Sequence, residues 1–319
     1  MSSTSLTPGL ISAVVPVYRE VDNVQLLVES LEKVFKGMGR PFELIIVDDG
    51  SDDGTAQLLE KLRSNHPALK PIYHRRNYGQ SAALTAGFDA ATGEYVVMLD
   101  GDLQNNPADI PAMIEKIEKE NMDAVCGIRV DRKDKAATVK IPSLIGNFFI
   151  RNMTGVRMHD YGCSLRVLRA EFAKSLTIYG ELHRFIPVLL SQQGARLAEM
   201  PVDHKARAAG KSKYNLGKAP RVFLDLLLMS FFQKFATRPL QFFGGWGLLG
   251  TAIGGLMLFD LLVEKFMGHQ VGHRPMLVIG ALLIMVGAML ISIGLCAELI
   301  IRTYYESTGK KIYTTKEKP

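Results

Sequence analysis

The composition of this 319-residue chain breaks near Pro239, and that break constrains the fold more than any other feature. After it come two long apolar segments, about 240–263 and 276–301, each nearly uncharged, with Asp260 and Glu298 close to their ends. Each exceeds the roughly 20 residues needed to cross about 30 Å of hydrocarbon. Both are apolar all round, and Gly244, Gly245, Gly250, Gly254, Gly255 and Gly287 permit close helix contacts. That pattern suits paired membrane spans better than core helices. Arg221, Lys234 and Arg238 precede the first segment, while Arg302, Lys310, Lys311, Lys316 and Lys318 follow the second. The connecting loop carries only Lys265 and Arg274 as full positive charges. The positive-inside rule then places both termini in the cytoplasm of a multi-pass inner (plasma) membrane protein. Met1 to Leu10 has no basic region and no long apolar run, so no secretory signal is expected there.

Before the break, apolar runs alternate with helical patterns. Strands are expected at 11–17, 42–47, 71–74, 95–99 and 123–127, with a short one near 198–202. Helices are expected at 21–37, 55–65, 81–91 and 107–120. Near-continuous apolar strands separated by helices predict a doubly wound, mostly parallel sheet covered on both faces. The stretch 216–238 is apolar but carries Lys218, Arg221, Asp225 and Lys234. An interfacial helix in the headgroup region fits it, and a core helix of the preceding domain is the alternative. The expected divisions are therefore a domain at 1–215, an interfacial helix at 216–238, spans within 239–303 and a basic tail at 304–319.

The formal charge of +6 is not gathered into a basic stripe with interleaved aromatics, which disfavours nucleic acid as a partner. An anionic substrate or membrane surface fits better. Cys126, Cys163 and Cys296 lack disulfide or metal spacing, which agrees with a reducing compartment. His159, His183 and His204 also lack metal-ligand spacing and are expected to be structural.

Each strong strand ends in polar residues. The first ends Pro16-Val17-Tyr18-Arg19-Glu20, and the second Val47-Asp48-Asp49-Gly50-Ser51. The third ends His74-Arg75-Arg76-Asn77-Tyr78-Gly79-Gln80, the fourth Asp100-Gly101-Asp102-Leu103-Gln104, and the fifth Gly127-Ile128-Arg129. In open α/β sheets ligands bind outside the carboxyl ends of the strands. Tyr18 offers a ring face for a base, and Glu20 an acceptor. Asp49 suits a ribose hydroxyl or an imide N–H, or else caps the next helix with Ser51. Alternate positions along the chain put Asp102 and Gln104 on one side, near enough to share a divalent cation with Asp100. Such hard oxygen donors suit Mg²⁺ or Mn²⁺ completed by phosphate and water. The chain has neither a Gly-x-Gly-x-x-Gly nor a Gly-x-x-x-x-Gly-Lys-Ser/Thr motif, so dinucleotide and P-loop chemistry are disfavoured. A nucleoside diphosphate held through a metal fits instead, with Arg129 as a second positive charge.

Jointly, Val15-Pro16-Val17-Tyr18-Arg19-Glu20, Val47-Asp48-Asp49-Gly50-Ser51 and Leu99-Asp100-Gly101-Asp102-Leu103-Gln104 resemble family 2 glycosyltransferases with the GT-A nucleotide-diphospho-sugar-binding fold. The later Arg207-Ala208-Ala209-Gly210-Lys211-Ser212-Lys213-Tyr214 resembles the Arg-x-x-Gly-x-Ser-Lys signature of polyprenyl-phosphate glycosyltransferases, dolichyl-phosphate mannose synthases among them. Arg76 to Gln80 with Asp160-Tyr161-Gly162-Cys163 is most similar to the undecaprenyl-phosphate 4-deoxy-4-formamido-L-arabinose transferases. The resemblance implies inverting transfer of a sugar, UDP-linked in the first instance, to polyprenyl phosphate at the cytoplasmic membrane face, for envelope glycan or lipid A modification. Related glucosyl and mannosyl transferases share most of this pattern.

By the same resemblance, Pro16, Tyr18, Glu20, Val47, Asp49, Asp100, Gly101, Arg129, Arg207 and Lys213 hold the nucleotide sugar. Asp100, Asp102 and Gln104 hold the metal, and Asp102, Arg129 and Asp160 serve the chemistry. Asp160 either positions the acceptor or accepts its proton, or only orders its loop. Some relatives place an Asp directly before aromatic-Arg, where this chain has Ser164-Leu165-Arg166. Arg151, Arg157 and Arg166 are candidate contacts for lipid phosphate or ordinary surface cations. A homo-oligomer packed through the spans is a further expectation. A processive polysaccharide synthase would want more spans and a Gln-x-x-Arg-Trp motif, whereas the only tryptophan is Trp246, inside the first span. A silent membrane scaffold would have lost the carboxylates, and all are present.

Overall fold

The computed structural model describes residues 6–129, 151, 154–180, 182–204, 239–268 and 275–308. The chain divides into two compact units, Met1–Leu226 and Leu227–Pro319. The first contains a seven-stranded sheet in the order β3-β2-β1-β4-β6-β5-β7. Its strands are β1 (Thr7–Val17), β2 (Phe42–Asp48), β3 (Leu69–Tyr73), β4 (Gly93–Met98), β5 (Ala124–Arg129), β6 (Arg166–Arg169) and β7 (Leu197–Val202). Helices α1 (Val24–Met38), α2 (Thr55–Arg63), α3 (Gln80–Ala90) and α4 (Ile110–Lys119) connect the earlier strands. The short α5 (Ala170–Ser175) and α6 (Ile186–Gln192) lie between β6 and β7.

Six strands run parallel; β6 alone is antiparallel, inserted between β4 and β5. The mostly parallel sheet expected from the alternation is thus observed, with β6 as an addition. The sequence signal of β6 is weak because it has four residues, Arg-Val-Leu-Arg, with a cation at each end. Its pairing on both sides supplies what local pattern lacks.

Both sheet faces are covered for reasons written in residue spacing. In α1, Val24, Leu27, Val28, Leu31 and Phe35 recur on one helical face and are buried, and Gly39 ends the helix at φ +65°. With Ile110, Met113, Ile114 and Ile117 of α4 they close over Ile11, Ala13, Val15, Leu44, Ile46 and Val97. On the other face α3 lies so close that a Cβ at Gly87 would overlap the Val14 side chain. Glycine is required there by close approach, not by backbone angle. Burying these branched side chains contributes about 1.5–3 kcal/mol each.

The second unit holds α7 (Pro239–Phe266) and α8 (Pro275–Thr308). Both are long and apolar enough to cross a membrane. They pack through glycines seven apart: a Cβ at Gly247 would stand 2.6 Å from the Gly287 carbonyl oxygen, and one at Gly254 2.6 Å from that of Gly280. A seven-residue repeat keeps the small residues on one seam, where backbones approach. Of the glycines singled out in the sequence, Gly254 and Gly287 lie on this seam, and Gly250 also faces α8, where a Cβ would stand 3.6 Å from the Leu283 carbonyl oxygen. A Cβ at Gly245 or Gly255 would meet nothing within 4 Å. The interfacial helix expected at 216–238 lies outside the described residues.

Candidate active site

Parallel strands deliver their polar ends to one edge. At the end of β1, Arg19 adopts φ +55° between Tyr18 and Glu20. The Arg19 N–H donates to Ser51 Oγ at 2.8 Å, and its guanidinium grips both Asp52 oxygens at 2.6 Å. Glu20 accepts from Asn23 Nδ2 at 2.6 Å, and Tyr18 lies under the Arg19 guanidinium, 5.2 Å from the ring centre. Pro16 sits opposite Val47 in the ladder. The Val47 side chain is sealed in the sheet, so it presents no side-chain surface to a ligand.

Asp49 is 3% exposed. Its carboxylate accepts from the N–H groups of Tyr78 and Gly79 at 2.9 and 2.7 Å, and His74 Nδ1 lies 2.8 Å from it. It therefore fastens the β3–α3 loop. The helix-capping alternative falls to a neighbour: Asp53, not Asp49 with Ser51, accepts the Thr55 N–H at 3.1 Å at the start of α2.

β4 stops at Met98, and 100–104 forms a turn. Strand alternation therefore does not align Asp102 with Gln104. Leu103 instead bends the chain at φ +61°, and the Gln104 N–H donates to Asp102 Oδ1 at 3.2 Å. Gly101 packs where a Cβ would stand 2.7 Å from a Val17 methyl, which brings the turn against the end of β1. Asp100 keeps part of its surface open. Burial, then the charge of Asp102, raises its carboxyl to about 6, against hydrogen bonding from Ser164 and the fields of Arg166 and Arg129. Gln80 Nε2 also donates to Asp100 Oδ1 at 2.7 Å. Two carboxylates whose charges oppose each other, with an amide oxygen on the same turn, fit a hard divalent cation. Among the described residues no three His, Cys, Asp or Glu side chains gather as a metal cage. A cation at this turn would complete its shell with phosphate and water.

At the end of β5 Arg129 meets Asp160 in a two-pronged pair, Nε to Oδ2 at 2.7 Å and Nη2 to Oδ1 at 2.8 Å. The Gly162 N–H adds a third bond to Asp160 at 3.0 Å. Both oxygens of Asp160 are thus occupied as acceptors. Arg166 is 2% exposed and donates to the carbonyls of Tyr161 and His183 at 2.8 and 3.2 Å. It is neither a surface cation nor open to a lipid headgroup, because β6 carries it into the sheet. Arg151 and Arg157 are exposed. Arg207 and Lys213 lie outside the described residues.

Sequence reasoning quoted Gln80 at the end of the third strand without giving it a role, passed over Ser81, and took Ser164 only as a departure from a motif. Ser164 bridges Asp100 and Asn105, accepting from Asn105 Nδ2 at 2.8 Å. Ser81 Oγ lies 3.1 Å from His183 Nδ1 and accepts the His183 N–H at 3.3 Å. The polar start of α3 beside a strand-end carboxylate was the available signal. The structural reading of the histidines agrees with His183 here and with His159, whose Nδ1 lies 2.8 Å from Glu199. Cys126 and Cys163 are buried free thiols, raised by burial to about 12 and about 11.

Residues 12–177 match the family model described as glycosyl transferase family 2. The chain belongs to glycosyl transferase family 2. It is 41% identical over 311 residues to a dodecaprenyl-phosphate galacturonate synthase of Rhizobium johnstonii, covering 96% of this chain and 92% of the relative. It is 35% identical to an undecaprenyl-phosphate 4-deoxy-4-formamido-L-arabinose transferase of Pseudomonas paraeruginosa, over 92% and 86% of the two chains. Among solved structures, glucosyl-3-phosphoglycerate synthase from Mycobacterium tuberculosis, crystallised with Mn²⁺, UDP and phosphoglyceric acid, superposes with TM-score 0.54. That likeness covers 70% of this chain and 78% of the other at 16% identity, and concerns the fold. The family 2 domain here is a GT-A glycosyltransferase fold, and the chain is a glycosyltransferase.

Proposed function

We propose that this family 2 enzyme transfers a sugar from a UDP-sugar to polyprenyl phosphate at the cytoplasmic face of the inner membrane, with inversion. The observation that carries the reading is the turn bearing Asp100 and Asp102 at the carboxyl edge of the sheet, where burial and mutual charge call for a cation. Relatives named as polyprenyl-phosphate sugar transferases, aligned over more than nine-tenths of the chain, support the acceptor. Two helices of membrane-crossing length support the location.

The acceptor phosphate, with a second pKa of about 6, is largely ionised at neutral pH and needs little help from a base. Its oxygen forms a bond to the anomeric carbon as the bond to the β-phosphate breaks, and UDP leaves with the electron pair. Mg²⁺ or Mn²⁺ at Asp100, Asp102 and Gln104 would neutralise charge on the diphosphate. Tyr18 and Glu20 face the nucleoside, Pro16 and Gly101 shape its floor, and Asp49 holds the β3–α3 loop. Arg129, oriented by Asp160, adds positive charge beside the diphosphate, as do Arg207 and Lys213 by the family motif. Asp160 serves as the partner of Arg129 and not as a proton acceptor, because both its oxygens are engaged.

Galacturonate is the first sugar to test, since the galacturonate relative is the more similar of the two described above. Formamidoarabinose is the second. The experiment is a panel of UDP-galacturonate, UDP-formamidoarabinose, UDP-glucose and GDP-mannose with undecaprenyl phosphate in detergent, with Mg²⁺ or Mn²⁺. Release of nucleoside diphosphate that requires both lipid and metal is expected with one UDP-sugar. Metal-independent turnover, or none with any donor, would refute the reading.

A further inference from the structure

Among the described residues three non-glycine positions have positive φ: Arg19, Leu103 and Asn121. Asn121 closely follows α4, and asparagine tolerates that region. Arg19 and Leu103 are different, because an ordinary Cβ presses on the following carbonyl there and such positions persist only where surroundings enforce them. Both stand just beyond the ends of neighbouring parallel strands, β1 and β4. Each is flanked by candidate ligand contacts, Tyr18 and Glu20 in one case, Asp102 and Gln104 in the other.

What enforces each is visible. Arg19 is held by Ser51 and Asp52. Leu103 is held by its side chain, which is partly buried against the main hydrophobic cluster. Glycine would adopt the same angle without strain but would have no side chain to seat. A leucine here exchanges local strain for an anchor.

We propose that Leu103 is a positioning residue: its side chain, partly buried against the hydrophobic cluster, fixes the left-handed turn that presents Asp102 to a cation–diphosphate. This rests on reading 100–104 as the cation–diphosphate turn. Asp102 is 7% exposed, so small rotations of the backbone decide whether its carboxylate reaches a ligand at the strand edge. Leu103→Met keeps an apolar anchor without a β-branch. Leu103→Val keeps apolarity, but its β-branch opposes the left-handed region. Leu103→Gly keeps the angle and loses the anchor.

The test uses the full chain in detergent and Mn²⁺–UDP as the probe, with affinity by calorimetry, thermal midpoint, and hydrogen exchange of amides 100–105. Leu103→Val is expected to bind about tenfold more weakly. Leu103→Gly should also bind more weakly, with faster exchange confined to the turn. Leu103→Met should match the wild type, and all midpoints should stay within about 4 °C. Wild-type affinity in Leu103→Val would overturn the proposal. So would equal damage in Leu103→Met, or weaker binding that follows a fallen midpoint with unchanged exchange at 100–105. A wild type that binds Mn²⁺–UDP but transfers no sugar refutes the proposed reaction, and the variant affinities then decide this inference alone. A wild type that does not bind the probe overturns both.

Discussion

Individual side chains of the crevice do two kinds of work, meeting ligand and holding other side chains. Asp102 belongs to the first kind. Asp102→Asn keeps the shape but removes the charge, and is expected to lower transfer at least about a hundredfold, the scale of a lost electrostatic group. The variant should stay folded and membrane-bound; transfer at the wild-type rate would remove Asp102 from the metal site. Asp160 belongs to the second kind, since its partner Arg129 has a side chain only 12% exposed. Asp160→Asn takes away the charge that faces this guanidinium, with an expected loss of about 3 kcal/mol in denaturant unfolding. Unchanged stability with a displaced pH–rate profile would instead make Asp160 a proton acceptor. The motif residues at strand ends were legible because their chemistry is local. That Asp49 binds a loop, and Asp160 an arginine, was not, because each partner lies 25 or more positions away.

Strands and helices carry a second set of consequences. At the starts of the strands, Glu43, 2% exposed, accepts from Ser12 and from the Thr92 N–H at 2.5 and 2.7 Å, and pairs with Lys70 at 2.6 Å. Burial pushes its carboxyl up, but Lys70, Ser12 and Thr92 together outweigh burial and leave it below the usual 4.5. Its contribution to stability is therefore present above pH 4.5 and is lost as pH falls through the depressed value. Glu43→Gln should unfold at lower denaturant near pH 7 and show a smaller acid-induced loss than wild type; parallel pH curves would refute the clasp. In the helical pair, Gly287→Val would drive a side chain into Thr251 and the Gly247 carbonyl. Separation of α7 from α8 is expected, read as increased crosslinker or protease access in detergent. Periodicity made the helices and long strands readable. It missed β6, a four-residue strand stabilised by its neighbours, and alternation carried past the end of β4 does not hold for Asp102 and Gln104, because 100–104 is a turn.

The whole chain joins a GT-A domain to two helices of membrane-crossing length. If the helices serve only to bring the enzyme to its lipid, a chain ending at 238 should retain nucleotide binding and lose transfer to polyprenyl phosphate in vesicles. Loss of nucleotide binding in a folded truncation would show that the helices support the donor site as well. The sequence alone determined the βα alternation, the two apolar segments and the carboxylates at strand ends, because hydrophobic period and motif spacing are properties of neighbouring residues. Tertiary structure decided that β6 enters between β4 and β5, that Gln80 and Ser164 hold Asp100, and that a left-handed leucine turns Asp102. Those outcomes depend on which groups far apart in the chain are brought into one dry, crowded space. There a hydrogen bond or a seated side chain outweighs local backbone preference.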